Sequence, residues 1–371
     1  MAKQVILAVA GAGKTYYICH CINKNKKNLI LAYTHRNVNN IKKELIDSFG
    51  EIPELTTIMT FDSFVYRYLI CPYEPTLLKS FNREDFKRKG ITLKQPPKQI
   101  IKRNGKQFPN RNYYKKNVLE HYMYNSQYYC SKLSELLSTA DKSTKILKRI
   151  STNLNRFFDC MMIDEFQDFR EFDYEIIVKL SHNIDNVLLV GDYYQHSVSA
   201  INNAGKPFVN RGQSIGYDEY IKLLEREKLV VDNTSLLSSR RCPDVICNFV
   251  KTKLNININA DNYNSGKVVL VEEDIIEVLN NDNIVKLVYS NSSKYTFNSI
   301  NWSYSKGDTI NSVCVILTNE FEKILDDDFD CSKISAITIN KLYVAMTRTR
   351  GDLYLIKQSD FKKVKDLYLS S

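Results

Sequence analysis

Two short segments hold residues that together could handle a phosphate chain. Gly11-Ala12-Gly13-Lys14-Thr15 lies between an apolar run at 5–10 and a helical pattern that opens near Lys14. Glycines let a backbone turn tightly, so that consecutive N–H groups face an anion at a helix N-terminus. A lysine placed there neutralises β- and γ-phosphates, and the neighbouring threonine hydroxyl ligates Mg2+. The second segment, Asp164-Glu165-Phe166-Gln167-Asp168, ends an apolar run at 160–163. A carboxylate at a strand end reaches a cation held by Thr15, which assigns Asp164 to the metal. Glu165 can then orient and deprotonate an attacking water. The bland alternatives are a chance glycine turn and a solvated acidic turn. Placement between strand and helix, and directly after a buried strand, favours the chemical reading of both.

The flanking elements must carry these residues to one place. Over the first 65 residues strand and helix signals alternate. Strands are expected at 5–10, 28–33 and 56–60. Helices are expected at 14–24, through Val38, Ile41, Leu45 and Ile46, and through Phe61, Phe64, Val65 and Tyr68. Apolar runs separated by helical patterns argue for a parallel sheet covered on both faces. The rhythm breaks after Pro72, into a basic, Tyr-rich stretch read as mainly helical from 115 to 150. It returns with strands at 160–164 and 187–191 around a helix at 172–180. A second α/β unit follows, with strands at 228–233, 267–271, 284–289, 313–317 and 353–356. Its helices are expected at 243–254 and 339–347, with a polar loop at 255–265.

The 371 residues, 43% hydrophobic and 25% charged, suffice for two or three domains. They exclude collagen, a small disulfide scaffold and wholesale disorder. No apolar stretch approaches the roughly 18 residues of a membrane helix, and the first ten residues are too short for a secretory leader. A protein of cytosolic type is expected. Nine scattered cysteines and five histidines show no metal-ligand spacing, which reads as reduced thiols. Net charge is +10, yet residues 79–149 hold 18 Lys/Arg against 5 Asp/Glu. One segment therefore supplies the whole excess, as a polyanion-binding surface would. A solubilising basic face is the alternative.

The order of the two segments above with Thr60-Phe61-Asp62-Ser63-Phe64, Val190-Gly191-Asp192-Tyr193-Tyr194-Gln195 and Tyr343-Val344-Ala345-Met346-Thr347-Arg348 resembles that of UvrD/Rep-like superfamily 1 helicases, over residues 5–356. The resemblance implies an α/β chain of two RecA-like P-loop NTPase domains with parallel sheets. The first core is 1–72 plus 153–227, interrupted by a basic, mainly helical insertion at 73–152; the second core is 228–371. It implies ATP and Mg2+ as cofactors and an ATP-dependent DNA helicase or translocase that works in the cleft between the cores. Nucleotide contacts fall on Gly11, Ala12, Gly13, Lys14, Thr15, Tyr16, Arg240 and Arg241. Thr15 and Asp164 hold the metal. Lys14, Glu165, Gln195, Arg241 and Arg348 do the catalysis, with Gln195 sensing the γ-phosphate and the arginines reaching across from the second core. Bidentate guanidiniums suit charge that develops on a transferring phosphoryl group. Single-stranded nucleic acid, DNA in particular, would touch Thr34, His35, Thr60, Phe61, Phe64, Ser305 and Lys306. No membrane partner is implied; a nuclease or a replication, repair or defence protein is.

The chain departs from that family in four places. No glutamine motif for adenine precedes the first strand, Gln4 being too close to it. Arg240 replaces the tyrosine expected before Arg241, although a guanidinium also stacks on a purine. Val198, Ala200 and Ile201 stand where stacking aromatics follow Gln195, with Tyr193 and Tyr194 as possible substitutes. Gly307-Asp308-Thr309-Ile310 replaces a GLEF sequence. The large insertion usual between Arg241 and Ser305 is absent or tiny. The chain is also similar to the small helicase-like subunits of bacterial antiviral defence systems. That similarity supports a second reading, a DNA-stimulated ATPase or switch that does not unwind alone. A third reading, a non-enzymatic nucleic-acid-binding protein on a decayed motor fold, conflicts with the intact set of charged residues. Tyr113, Tyr114, Tyr122, Tyr124, Tyr128 and Tyr129 could stack on bases or pack in a core.

Overall fold

The computed structural model describes residues 3–84, 88–103, 105–198, 205–210 and 212–369. Short apolar runs form two all-parallel sheets. The first is built from β1 (Lys3–Leu7), β2 (Asn28–Ala32), β3 (Thr56–Thr60), β4 (Cys160–Ile163), β5 (Val187–Gly191) and β6 (Val230–Asp232), in the order β6-β1-β5-β4-β2-β3. The second is built from β7 (Val268–Leu270), β8 (Ile284–Val288), β9 (Ser299–Asn301), β10 (Ser312–Ile316) and β11 (Leu353–Ile356), in the order β7-β11-β10-β8-β9. β2, β4 and β5 are buried along their whole length, as strands covered on both faces must be.

Helices α1 (Lys14–His20) and α2 (His35–Phe49) follow β1 and β2. In α2 the buried Val38, Ile41 and Leu45 form one stripe, Thr34 caps the N-terminus and Gly50, at φ 80°, ends the helix. In the insertion α3 (Leu133–Thr144) and α4 (Ile146–Leu154) pack with α5 (Phe172–Ser181) into the core of the first sheet. The second unit adds α6 (Asp244–Leu254), α7 (Ala336–Met346) and α8 (Gln358–Val364). A single apolar cluster runs from Ile6 and Val9 of the first sheet to Ile246, Leu342 and Tyr343 of the second unit. The two sheets are thus joined by packing at the face where β1 ends.

Two expectations are corrected. The division after residue 227 assigns the next strand to the second unit, whereas β6 hydrogen-bonds to β1 and completes the first sheet. An apolar edge on β1 would otherwise stay unpaired. The insertion is mixed rather than mainly helical. It carries a ribbon of Ile100–Arg103 with Lys106–Pro109 and a small sheet of Ile91–Thr92, Met123–Tyr124 and Gln127–Tyr129, and becomes helical from Cys130 onward. Asn125-Ser126 turns the chain there, at φ 48° and 65°. No helix among the described residues is long and apolar enough to cross a membrane.

Candidate functional site

The loop after β1 folds as its glycines require. Gly11 and Gly13 have φ of 75° and 83°, and α1 starts at Lys14. Ala12 is buried under the loop. The Lys14 ammonium, itself buried, lies 3.5 Å from Glu165 Oε1. The Thr15 hydroxyl donates to Asp164 Oδ2 at 3.0 Å. Asp164 directly follows β4, and its other oxygen accepts the backbone N–H of Glu165 at 2.9 Å. Glu165 itself has a left-handed conformation, φ 53°, and its carboxylate lies near Lys14 and Lys306. Burial, with Glu165 adding to it, pushes the Asp164 carboxyl up from its ordinary value. Burial opposes ionisation of Glu165 too, but Lys14 and Lys306 outweigh it and hold that carboxyl below the usual range. Two neighbouring carboxylates therefore differ in character because only one faces two ammonium groups.

Lys14, Thr15, Asp164 and Glu165 line one cavity of about 830 Å³, together with Gly11, Gly13 and Arg241. Arg241 comes from the second unit and donates through Nη1 to Thr347 O at 3.1 Å. The backbone N–H of Arg240 donates to Gly11 O at 2.9 Å. Its guanidinium lies 4.8 Å above the Tyr16 ring, which stacks on His20 at 3.7 Å. All the nucleotide-contact residues expected from the sequence except the buried Ala12 are thus gathered around one opening. Thr15 and Asp164 offer a hydroxyl and a carboxylate side by side. Among the described residues no group of three or more His, Cys, Asp or Glu could hold a metal alone. A hydroxyl beside a carboxylate is a donor pair of the kind that Mg2+ takes, together with substrate phosphates and water.

Of the other expected residues, Thr34 and Lys306 line the same cavity and the rest stand outside its lining. Gln195 is buried and donates to Asp192 Oδ2 at 2.7 Å, so a buried carboxylate captures its amide outside the cavity lining. Arg348 is fully buried behind Arg241, its Nε donating to Val344 O at 2.8 Å, where carbonyls at the end of α7 hold it. Thr34 lines the cavity and His35 is exposed. Thr60 is buried, its hydroxyl accepting the N–H of Ser63 as a helix cap. Phe61 and Phe64 point into the core, Phe61 meeting Phe169 edge-on at 5.0 Å, and so do not face a strand. Ser305 is fully buried and donates to Trp302 O at 2.7 Å. Lys306 turns inward, its ammonium 2.6 Å from Asp168 Oδ1 and 3.6 Å from Glu165 Oε2. A lysine beside two sheltered carboxylates finds its partners there. Tyr193 is closed off by Tyr194, Tyr217, Tyr220 and Phe208. Ala200 and Ile201 lie outside the described residues. Of the insertion's tyrosines, Tyr122, Tyr128 and Tyr129 are core residues, while Tyr114 and Tyr124 are exposed.

Sequence reasoning gave no role to Gln167, Asp192 or Tyr343, although all three lie inside the quoted segments. Gln167 donates to Glu165 and accepts the N–H of Asp192 at 2.8 Å, tying the ends of β4 and β5. The Tyr343 hydroxyl accepts the N–H of Ala10 at 2.7 Å and donates to Asp192 Oδ2 at 3.1 Å. It joins α7 to the phosphate loop and to the end of β5 at once. Arg170, Asn264 and Arg350 also line the cavity, and no spacing marks them.

A strand–glycine loop–helix with a lysine, a threonine and a strand-end carboxylate defines a P-loop NTPase. Residues 2–200 match the family described as AAA domain, and the chain belongs to it. No curated protein matches the chain. Among solved structures, the arterivirus nonstructural protein 10 (helicase) in complex with DNA aligns with 95% of this chain and 60% of its own, at 13% identity and a TM-score of 0.45. The PRRSV helicase aligns with 99% of this chain and 55% of its own, at 13% identity and a TM-score of 0.43. The chain thus spans 55–60% of the length of these viral proteins.

Proposed function

We propose that the chain is a nucleic-acid-stimulated ATPase motor of superfamily 1 type, with two RecA-like units that hydrolyse ATP between them. The observation that carries this reading is the shared cavity: Lys14, Thr15, Asp164 and Glu165 from the first unit face Arg241 from the second. Lys14 and the loop N–H groups bind the β- and γ-phosphates. Thr15 and Asp164 would hold Mg2+, which when bound would neutralise charge on the phosphate oxygens. Glu165 accepts a proton from water, and Arg241 stabilises charge on the transferring group. Because Arg241 belongs to the other unit, hydrolysis depends on how the units close. The Arg240 guanidinium, backed by the Tyr16 ring, offers its other face to a base.

Turnover of ATP with and without a single-stranded oligonucleotide tests this. Glu165→Gln is expected to keep ATP binding and to lower turnover by at least about a hundredfold, within the range for a lost general base. Parent-like turnover in that variant rules out Glu165 as the base. A second reading, an ATPase that does not separate strands unaided, is favoured by Phe61, Phe64 and Tyr193 lying in the core rather than on a strand path. Stimulated hydrolysis without strand displacement would select it.

A further inference from the structure

The cavity that holds Lys14, Thr15, Asp164 and Glu165 is larger than those four residues. It continues to Arg170, in the segment after β4, and to His196, in the segment after β5. The Arg170 guanidinium is only 4% exposed, yet it makes no hydrogen bond or ion pair among the described residues; the centre of the Phe208 ring, 4.9 Å away, is its one close neighbour of note. Buried guanidiniums are costly unless their N–H groups find acceptors. Asp168 favours the charge of Arg170 but is itself bonded to Lys306 at 2.6 Å.

His196 lies flat on the same Phe208 ring at 4.1 Å. Its Nδ1 faces the Tyr193 carbonyl, which only accepts, so Nδ1 donates and Nε2 keeps its lone pair. The Asn340 amide also approaches Nδ1, at 3.3 Å, whereas Nε2 has no hydrogen bond among the described residues. Burial, with Arg170 and Lys306 adding to it, pushes the imidazole down to about 4, against the pull of the Tyr193 carbonyl. The ring is therefore uncharged. A buried donor and a buried acceptor thus stand unpartnered beside one cavity. An anion satisfies the first, and a hydrogen carried by that anion satisfies the second. Orthophosphate near neutral pH has both, because at least one of its oxygens is protonated. A strand phosphodiester and sulfate carry no such hydrogen.

We infer that Arg170 and His196 form a subsite for the orthophosphate released from ATP, the guanidinium donating to its oxygens and Nε2 accepting its P–O–H hydrogen. The inference rests on the ATPase reading for the source of the phosphate. Hydrolysis leaves that phosphate against Lys14 and Glu165, which line the same cavity, so it reaches the subsite without leaving the protein. Asp168 borders the subsite too, and a bare carboxylate would repel an anion. Its pairing with Lys306 offsets that repulsion.

The test uses the full chain, with inorganic phosphate as the probe, read by 31P line broadening while excess AMPPNP and Mg2+ fill the ATP cleft. The parent is expected to bind phosphate, with sulfate competing at least about tenfold more weakly. Arg170→Met is expected to weaken phosphate by at least about tenfold. His196→Phe keeps a flat ring on Phe208; it should weaken phosphate about threefold or more and bring the two anions within about twofold of each other. That loss of preference is a change that a merely structural role would not produce. The comparison of the two anions on the parent stands whether or not a variant folds. The inference is overturned if the parent leaves the phosphate signal sharp, if sulfate competes as well as phosphate, or if both variants bind phosphate within about twofold of the parent. It is also overturned if a twelve-residue oligothymidylate displaces the phosphate and itself loses affinity in both variants, which would make the pair a strand contact. A chain without ATPase activity that still prefers phosphate would sink the motor reading alone, and an active ATPase without that preference would sink this inference alone.

Discussion

At Gly11 a single missing carbon decides whether the two units can meet. Its carbonyl accepts the N–H of Arg240, and a Cβ built there would lie 2.5 Å from Ser239 Oγ and 2.8 Å from Arg241 Cβ. Its φ of 75° would also strain any side chain, at roughly 1–2 kcal/mol. Gly11→Ala should therefore push the loop from Ser239–Arg241 and lower both ATP affinity and turnover by at least about tenfold, read by mant-ATP fluorescence and phosphate release. Gly216→Ala is the comparison, because φ there is −72° and a Cβ meets nothing within 4 Å. Equal behaviour of the two variants would show that the approach of this loop to the second unit is unimportant. The need for glycine was legible in the sequence, since a phosphate loop demands it. Its second reason, the approach of Ser239, was not, because 228 residues separate the two positions. Lys306 makes the same point: its position in a strand-contact motif was readable, while its pairing with Asp168 and Glu165 depends on the docking of two units.

Among elements, those with period and boundary in the sequence formed as expected. α2 has its stripe, cap and terminal glycine, and β2, β4 and β5 are continuous apolar runs. The insertion was harder to read, because its strands are two to four residues long and pair only with each other. Its helices are held by polar contacts that no periodicity shows. Ser138 of α3 donates to Glu175 of α5 at 2.7 Å, and Lys179 pairs with Asp141 at 3.1 Å. Asp173, half-buried in the same region and near Asp62, has its carboxyl pushed up to about 7 by burial, against the help of Ser134. The folded chain then holds a proton there that the unfolded chain has released. Stability from this group is full below about pH 4 and is lost as pH rises through 7. Asp173→Asn should remove that decline, about 1–3 kcal/mol after allowance for partial exposure, in urea titrations between pH 4 and 8. A parent and variant with parallel pH profiles would show that Asp173 ionises freely in the fold.

For the molecule as a whole, the charge is divided between its parts. Residues 88–118 contain ten Lys/Arg and no Asp/Glu. Two of those cations are matched, Arg88 by Glu74 at 3.0 Å and Lys116 by Glu135 at 2.8 Å, and Lys94 sits over the Tyr124 ring. Lys98, Lys102, Arg103, Lys106 and Arg111 have no ion-pair partner among the described residues. The ribbon that carries three of them sets Arg103 directly opposite Lys106 and exposes Ile100 and Phe108. Like charges across a two-stranded ribbon repel, and such a ribbon is marginal without support. A polyanion would relieve both problems, whereas a merely solubilising surface gains nothing from crowding charge on the weakest element. Lys98→Glu/Lys102→Glu/Arg103→Glu/Lys106→Glu should thus lower affinity for a single-stranded oligonucleotide. It should also make the slope of log K against log salt shallower by about 0.7 for each phosphate that the variant no longer neutralises. ATP turnover without nucleic acid should hold, because these residues lie outside the cavity that joins the two sheets. Unchanged affinity and slope would leave the basic segment as a solvated face, and the strand would have to be held by Thr34, His35 and the second sheet.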